Sequence, residues 1–209
     1  MTDRIMQKLY LDIETLPADE SSYESLKLLF EKRKEKAEEN KKGYCDFERF
    51  VAGTSFDGAF GRILCVGYAQ NDKPAEVFHN ESEKETLEEF WEIADGADLF
   101  IGHNVMDFDL RFIYQRSIIN KVAPTRNLNF ARYRSDPIFD TMKEWSKWSG
   151  GSIGLEHLAL ALGIPTPKKG IDGSQVAEFY KAGKINEILE YCKRDVETTR
   201  AVYKRMVFE

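Results

Sequence analysis

The sequence predicts an α/β domain in which a mixed five-stranded sheet carries helices on both faces. Three observations lead there. The first part of the chain holds three strand signals in succession, the second part alternates helical and strand signals, and residues from about 184 to 206 carry one sustained apolar stripe at helical spacing. Three successive strands read as an antiparallel meander. Alternating helix and strand then demands parallel additions, so the sheet is mixed and its faces are covered.

The elements follow in order. "KLYLDIET" (8–15) alternates apolar and polar residues and stops at Pro17, while "RILCVGYAQ" (62–70) and "AEVFHN" (75–80) are β-branched or aromatic runs parted by the turn signal "NDKP". Residues 83–95 place Leu87, Phe90, Trp91 and Ile93/Ala94 at helical spacing, and "DLFIGHN" (98–104) is a short buried strand. A helix from about 108 to 119, a polar loop and a brief strand "PIFD" (137–140) come next, then helices near 141–148, 154–162 and 173–181. In the last helix Ile185, Ile188, Leu189, Cys192, Val196, Thr199, Val202 and Met206 fall mostly on one stripe. Residues 17–61 break the pattern. Their stretch "YESLKLLFEKRKEKAEENKK" mixes both signs of charge at helical spacing, which predicts a solvated helix, with a lid or nucleic-acid arm as the alternative.

Length and composition narrow the function. The chain of 209 residues predicts one domain, 1–209, with an inserted segment at 17–61. Its 42% hydrophobic content supplies a core, and no apolar run approaches the ~20 residues of a membrane span. The first residues hold no secretory leader, so a soluble cytoplasmic protein without a membrane partner is expected. Cys45, Cys65 and Cys192 are odd in number and widely spaced, as are His79, His103 and His157, which argues against a disulfide framework and against zinc. A net charge of -6 disfavours bulk coating of nucleic acid, yet suits an enzyme that gathers carboxylates around magnesium.

Three acidic elements carry the chemistry. Asp12 and Glu14 stand two apart on the first strand and so share a face, where unpaired charges need a cation, a cleft or protonation. An edge strand with solvated acids explains that pair equally well. In "IGHNVMDFDLRF" Asn104 closes a strand, Asp107 is expected to cap the following helix, and Asp109 beside Phe108 is the functional acid, although it could also simply complement the helix dipole. In "YCKRDVETT" Tyr191 and Asp195 are four apart, at about -100° and about -60° from Cys192, on one shoulder of the apolar stripe. Asp140 is expected to cap the helix after it, and Trp145 and Trp148 to enter the core.

A strand Asp-x-Glu, a strand-to-helix "HN...FDxxF" and a late helical "YxxxD", in that order, resemble the DEDD superfamily of RNase-H-like 3'-5' exonucleases, in its tyrosine subgroup. "KGIDGSQV" through "YCKRDV" (169–196) and "FDTM" (139–142) are similar to stand-alone relatives of the proofreading exonuclease of family B DNA polymerases. The resemblance covers residues 8–16 and 62–206. It implies an RNase-H-like sheet and two ions, Mg²⁺ or Mn²⁺, held by Asp12, Glu14, Asp109 and Asp195. Asp12 would bridge the two, Glu14 and Asp195 would complete the nucleophile side, Asp109 would hold the other ion, and Tyr191 would orient the attacking water. Substrate contacts are expected from Thr15, Leu16, Asn104 and Phe108, and from Lys168 beside Lys169 in a Pro/Gly loop. "TRNLNFARYR" (125–134) interleaves arginine with aromatics, although a plain surface loop is the simpler reading. The expected activity is two-metal hydrolysis at the 3' end of a DNA strand, with RNA as the alternative, releasing nucleoside monophosphates. Replication or repair proteins are the expected partners. The rivals are a catalytically silent binding or polymerase-interaction module of the same fold, and a phosphatase using Asp12 as nucleophile, which would want an aspartate where Glu14 stands.

Overall fold

Alternation and β-branched content place strands where the sequence predicts them. The computed structural model describes residues 6–166 and 171–209. Its sheet comprises β1 (Lys8–Leu16), β2 (Arg62–Gln70), β3 (Glu76–Phe78), β4 (Leu99–Gly102) and β5 (Ile138–Asp140), in the order β3-β2-β1-β4-β5. β2 runs antiparallel to both β1 and β3, whereas β1, β4 and β5 are mutually parallel. The mixed five-stranded sheet is thus as expected.

The helices are α1 (Tyr23–Glu39), α2 (Phe47–Ala52), α3 (Glu83–Asp95), α4 (Asp109–Asn120), α5 (Thr141–Ser146), α6 (Leu155–Ala161), α7 (Val176–Lys181) and α8 (Ile185–Met206). Sharp starts have local causes. Ser82 and Glu85 close a capping box ahead of α3, and Asp140 accepts from Met142 N and Lys143 N ahead of α5, the predicted cap. Asp107 does not cap. It pairs instead with Lys143 at 2.6 Å and Arg111 at 3.3 Å, because α4 starts one residue later than expected, with Phe108 at its N-cap position.

The two faces of β1 are sorted by parity. Leu9, Leu11 and Ile13 pack with Leu87, Phe90, Trp91, Leu110, Phe112 and Ile113 of α3 and α4, while Tyr10 and Leu16 meet Val196, Ile188 and Cys192 of α8 on the other face. Asp12 and Glu14 share that second face. Trp148 packs against the first core, but Trp145 is 46% exposed, contrary to expectation, because α5 is only one and a half turns long and turns it outward.

Residues 17–61 are more structured than a solvated helix alone. α1 is largely exposed but buries Leu26 and Phe30. Ala18, Leu26 and Val51 form a small cluster of their own with Tyr23, Phe47, Phe50 and Phe60 against it. The Phe30 ring lies 5.4 to 5.5 Å from those of Tyr44, Phe47 and Phe50. No helix among the described residues is long and apolar enough to cross a membrane.

Candidate active site

The site begins where the sheet comes apart. β1 pairs with β2 through Leu16, but with β4 only from Lys8↔Leu99 to Tyr10↔Ile101. At Gly102 a Cβ would stand 2.5 Å from Val105 Cβ and 3.1 Å from the Leu11 carbonyl, so the chain can turn away tightly only with glycine there. Asn104 follows at a left-handed φ of 61°. Asp140 fixes this turn as well as capping α5, accepting from Asn104 N at 3.1 Å and Met106 N at 3.0 Å. His103 braces it from beside, Nδ1 on Thr141 Oγ1 at 2.9 Å and Nε2 on the Ile153 carbonyl at 2.7 Å.

Parting the strands frees a backbone donor on β1. The Ile13 N–H donates to Asp109 Oδ1 at 3.0 Å, which anchors that carboxylate to the backbone of the residue between Asp12 and Glu14. Asp109 is therefore tied to β1 beside the other acids and does more than complement the helix dipole.

From the other side, α8 comes close because Gly67 faces it. Gly67 is the cross-strand partner of Asp12, and a Cβ there would lie 2.8 Å from Cys192 Sγ and 2.9 Å from Val196 Cγ2. The Cys192 thiol donates to the Asp12 carbonyl at 3.6 Å. This approach brings Tyr191 and Asp195 to the same cleft, close enough for the tyrosine hydroxyl and the carboxylate to shift each other's titration.

Four carboxylates converge, and among the described residues none of them forms an ion pair. Glu14 is 8% and Asp109 3% exposed, with Asp12 and Asp195 half-buried. Burial, then the charges of Asp109, Glu14 and Asp195, raises Asp12 well above the usual carboxylate range. Burial, the Cys65 thiol, Asp195 and Asp109 do the same to Glu14. Burial lifts Asp109 to about 7 against the opposing pull of the Ile13 N–H, and lifts Asp195 to about 6 against the Tyr191 hydroxyl and Arg194. Tyr191 is pushed up by burial and by Asp195, Glu14 and Asp12, so it stays a phenol.

Ligand atoms of Asp12, Glu14 and Cys192 lie within 4.8 Å of one another. Hydrogen bonding of the Cys192 thiol to Cys65, with burial behind it, raises that thiol well above its ordinary value, so the sulfur remains protonated and the donor atoms open to a cation are carboxylate oxygens. The donor set therefore fits hard divalent cations such as Mg²⁺ or Mn²⁺. Sequence reasoning saw Cys192 only as part of the apolar stripe and missed Gly67, whose contacts with α8 span more than a hundred positions.

The softer candidates divide. The Thr15 hydroxyl is engaged by the Ser55 carbonyl at 2.7 Å. Leu16 is buried at 4% and lines, with Pro17, Tyr23, Phe47, Tyr180 and Arg62, a cavity of about 380 Å³. Phe108 is half-buried beside Asp109, its ring 5.7 Å from Phe112. Lys168 lies outside the described residues. In the 125–134 loop, Arg126 donates to the Asp95 carbonyl at 2.9 Å and Tyr133 is 74% exposed, its ring 5.4 Å from Trp148.

Residues 62–208 match a family described as predicted 3'-5' exonucleases related to the exonuclease domain of PolB. That stretch holds Asp109, Tyr191 and Asp195, while Asp12, Glu14 and residues 17–61 precede it. Among solved structures, the family B DNA polymerase from the hyperthermophilic archaeon Pyrobaculum calidifontis is similar over 98% of this chain, with a TM-score of 0.64 and 16% identity. The chain spans 25% of that polymerase's length, and the likeness is one of fold, the RNase-H-like sheet. Among curated proteins, none matches the sequence.

Proposed function

The chain belongs to the family of predicted 3'-5' exonucleases related to the exonuclease domain of PolB, and from that premise we propose that it hydrolyses the terminal phosphodiester bond at the 3' end of a DNA strand, releasing nucleoside monophosphates. The observation that carries this reading is the convergence of Asp12, Glu14, Asp109 and Asp195, none of which forms an ion pair among the described residues. Four acids held so close are costly unless divalent cations join them.

Asp12, Glu14, Asp109 and Asp195 would hold two such ions, Mg²⁺ or Mn²⁺. When bound, they lower the pKa of a water and neutralise charge on the departing 3' oxygen. The protein's own groups do the positioning. Ile13 N–H fixes the Asp109 carboxylate, and the close contact at Gly67 holds α8 so that Asp195 faces Asp12. Tyr191, kept protonated, can donate to Asp195 and offer its oxygen lone pair to a water, which makes it an orienting group and not a base.

The test is incubation of a labelled single strand, as DNA and as RNA, with Mg²⁺, Mn²⁺ or chelator. A ladder shortening from the 3' end, absent in chelator, is expected. Intact strands under every condition, or release of inorganic phosphate without nucleotide, would overturn the reading.

A further inference from the structure

The last turn of the 17–61 segment is fastened beside the acids, although it lies outside the stretch that matches the family. The Thr15 hydroxyl, next to Glu14, donates to the Ser55 carbonyl at 2.7 Å, and the Ala18 N–H donates to Thr54 Oγ1 at 2.8 Å. From the opposite side, Arg116 of α4 donates to the Gly58 carbonyl at 3.3 Å. A Cβ at Gly58 would meet Gln115 Oε1 at 2.3 Å, so the turn and α4 are in close contact. This turn is clamped between β1 and α4, the two elements that present Asp12, Glu14 and Asp109.

From the clamped turn Phe56 projects into solvent, 72% exposed. Its ring lies 6.2 Å from that of Phe108 at 50°, and Phe108 directly precedes Asp109. A phenyl carried on a fastened turn and left mostly in water gains little for the fold. Placed at the rim of a phosphodiester-cleaving site, the Phe56 and Phe108 pair is an apolar ledge whose complement is a flat, uncharged ring. A nucleobase has that chemistry, and an aromatic side chain stacks on any of the four.

We infer that Phe56 stacks on the base of an unpaired 3'-terminal nucleotide and, with Phe108, positions the scissile phosphate over the carboxylates. The inference rests on the exonuclease reading and deepens it. A base laid against Phe56 has left its own stack, so the ledge selects single-stranded or frayed ends over paired ones. Phe56 is thus a positioning residue supplied by the segment between β1 and β2.

The experiment uses an oligonucleotide ending in 2-aminopurine, with a 3'-terminal phosphorothioate linkage to block hydrolysis, and follows quenching of its fluorescence by the full-length protein in Mg²⁺. Phe56→Ala should abolish the quench and weaken binding about 5- to 150-fold, the span of one stacked base. Phe56→Trp should restore both. The thermal midpoint of Phe56→Ala should match wild type, since the ring is exposed, and on ordinary substrates its preference for single strands over blunt duplex ends should shrink. A quench that persists in Phe56→Ala, or a loss that Trp does not restore, overturns the inference. The two readings fail separately. Hydrolysis with a Phe56-independent quench sinks the ledge alone, whereas a Phe56-dependent quench with no hydrolysis of unmodified strands sinks the nuclease alone.

Discussion

Asp109→Asn separates charge from geometry at the site. The amide keeps an oxygen for the Ile13 N–H, now 3.0 Å from Asp109 Oδ1, and removes one negative charge from a cluster of four. In the wild type Asp109 titrates at about 7, raised from the ordinary 3.8 first by burial. The folded state therefore binds that proton more tightly than the unfolded state does, and the stability this confers is complete below about pH 4 and lost as pH rises through about 7. At 1.36 kcal/mol per pH unit the difference amounts to about 4 kcal/mol, a ceiling on what ionising Asp109 costs the metal-free protein at pH 8. For a chain of this length that corresponds to a midpoint rise of up to about 8 to 16 °C in Asp109→Asn. Thermal unfolding followed by circular dichroism in chelator, at pH 5 and pH 8, measures it. The variant should exceed wild type clearly at pH 8 and much less at pH 5. In Mg²⁺ the order should reverse, because wild type gains more from the bound cation, and hydrolysis by the variant should fall by orders of magnitude. Equal midpoints at pH 8, or the same gain at both pH values, would refute the electrostatic reasoning.

Tyr191→Phe should lower kcat by about 10² to 10⁴-fold while leaving the Mg²⁺ concentration for half-maximal stabilisation unchanged; a weakened Mg²⁺ response would make the phenol a prop for Asp195. Gly67→Ala drives a methyl against Cys192 and Val196, which should cost about 1 to 3 kcal/mol in denaturant unfolding and depress kcat more than KM by displacing Tyr191 and Asp195, and full activity in the folded variant would remove Gly67 from the account. Residues 20–52 can be replaced by a short linker, because the Ala18-to-Thr54 hydrogen bond keeps the ends adjacent. Mg²⁺-dependent stabilisation should survive and processivity on long strands should change; loss of the Mg²⁺ effect would make the segment part of the core.

What the sequence reveals depends on how local the cause is. β1, β2, α3 and α8 are legible because side-chain period sets them, and the same period shows that Asp12 shares a face with Glu14 and that Tyr191 sits near Asp195. The roles of Gly67 and Cys192 are not legible, since a missing methyl on β2 matters only once α8 has docked from more than a hundred residues away. Asp107 and Asp109 show the limit of capping rules. Both stand near a helix start, and which one reaches the cleft is decided by the Ile13 N–H, a donor exposed by the early end of the β1–β4 pairing. Phe56 was hidden for another reason: in the sequence it is one aromatic among many in 17–61, and only its exposure beside Phe108 sets it apart.

The separate aromatic cluster under α1 bears on time as well as space. Leu26, Val51 and their neighbours are not in the cluster that joins β1 to α3 and α4, so α1 draws its cohesion from a core of its own, which reaches the sheet through Ala18 and Thr54. Such a unit opens at lower free energy than the whole chain. The 53–58 turn is tied to β1 and α4 instead, and is expected to open only with them. Hydrogen exchange should then find α1 the faster part of the segment, and the turn that carries Phe56 the slower.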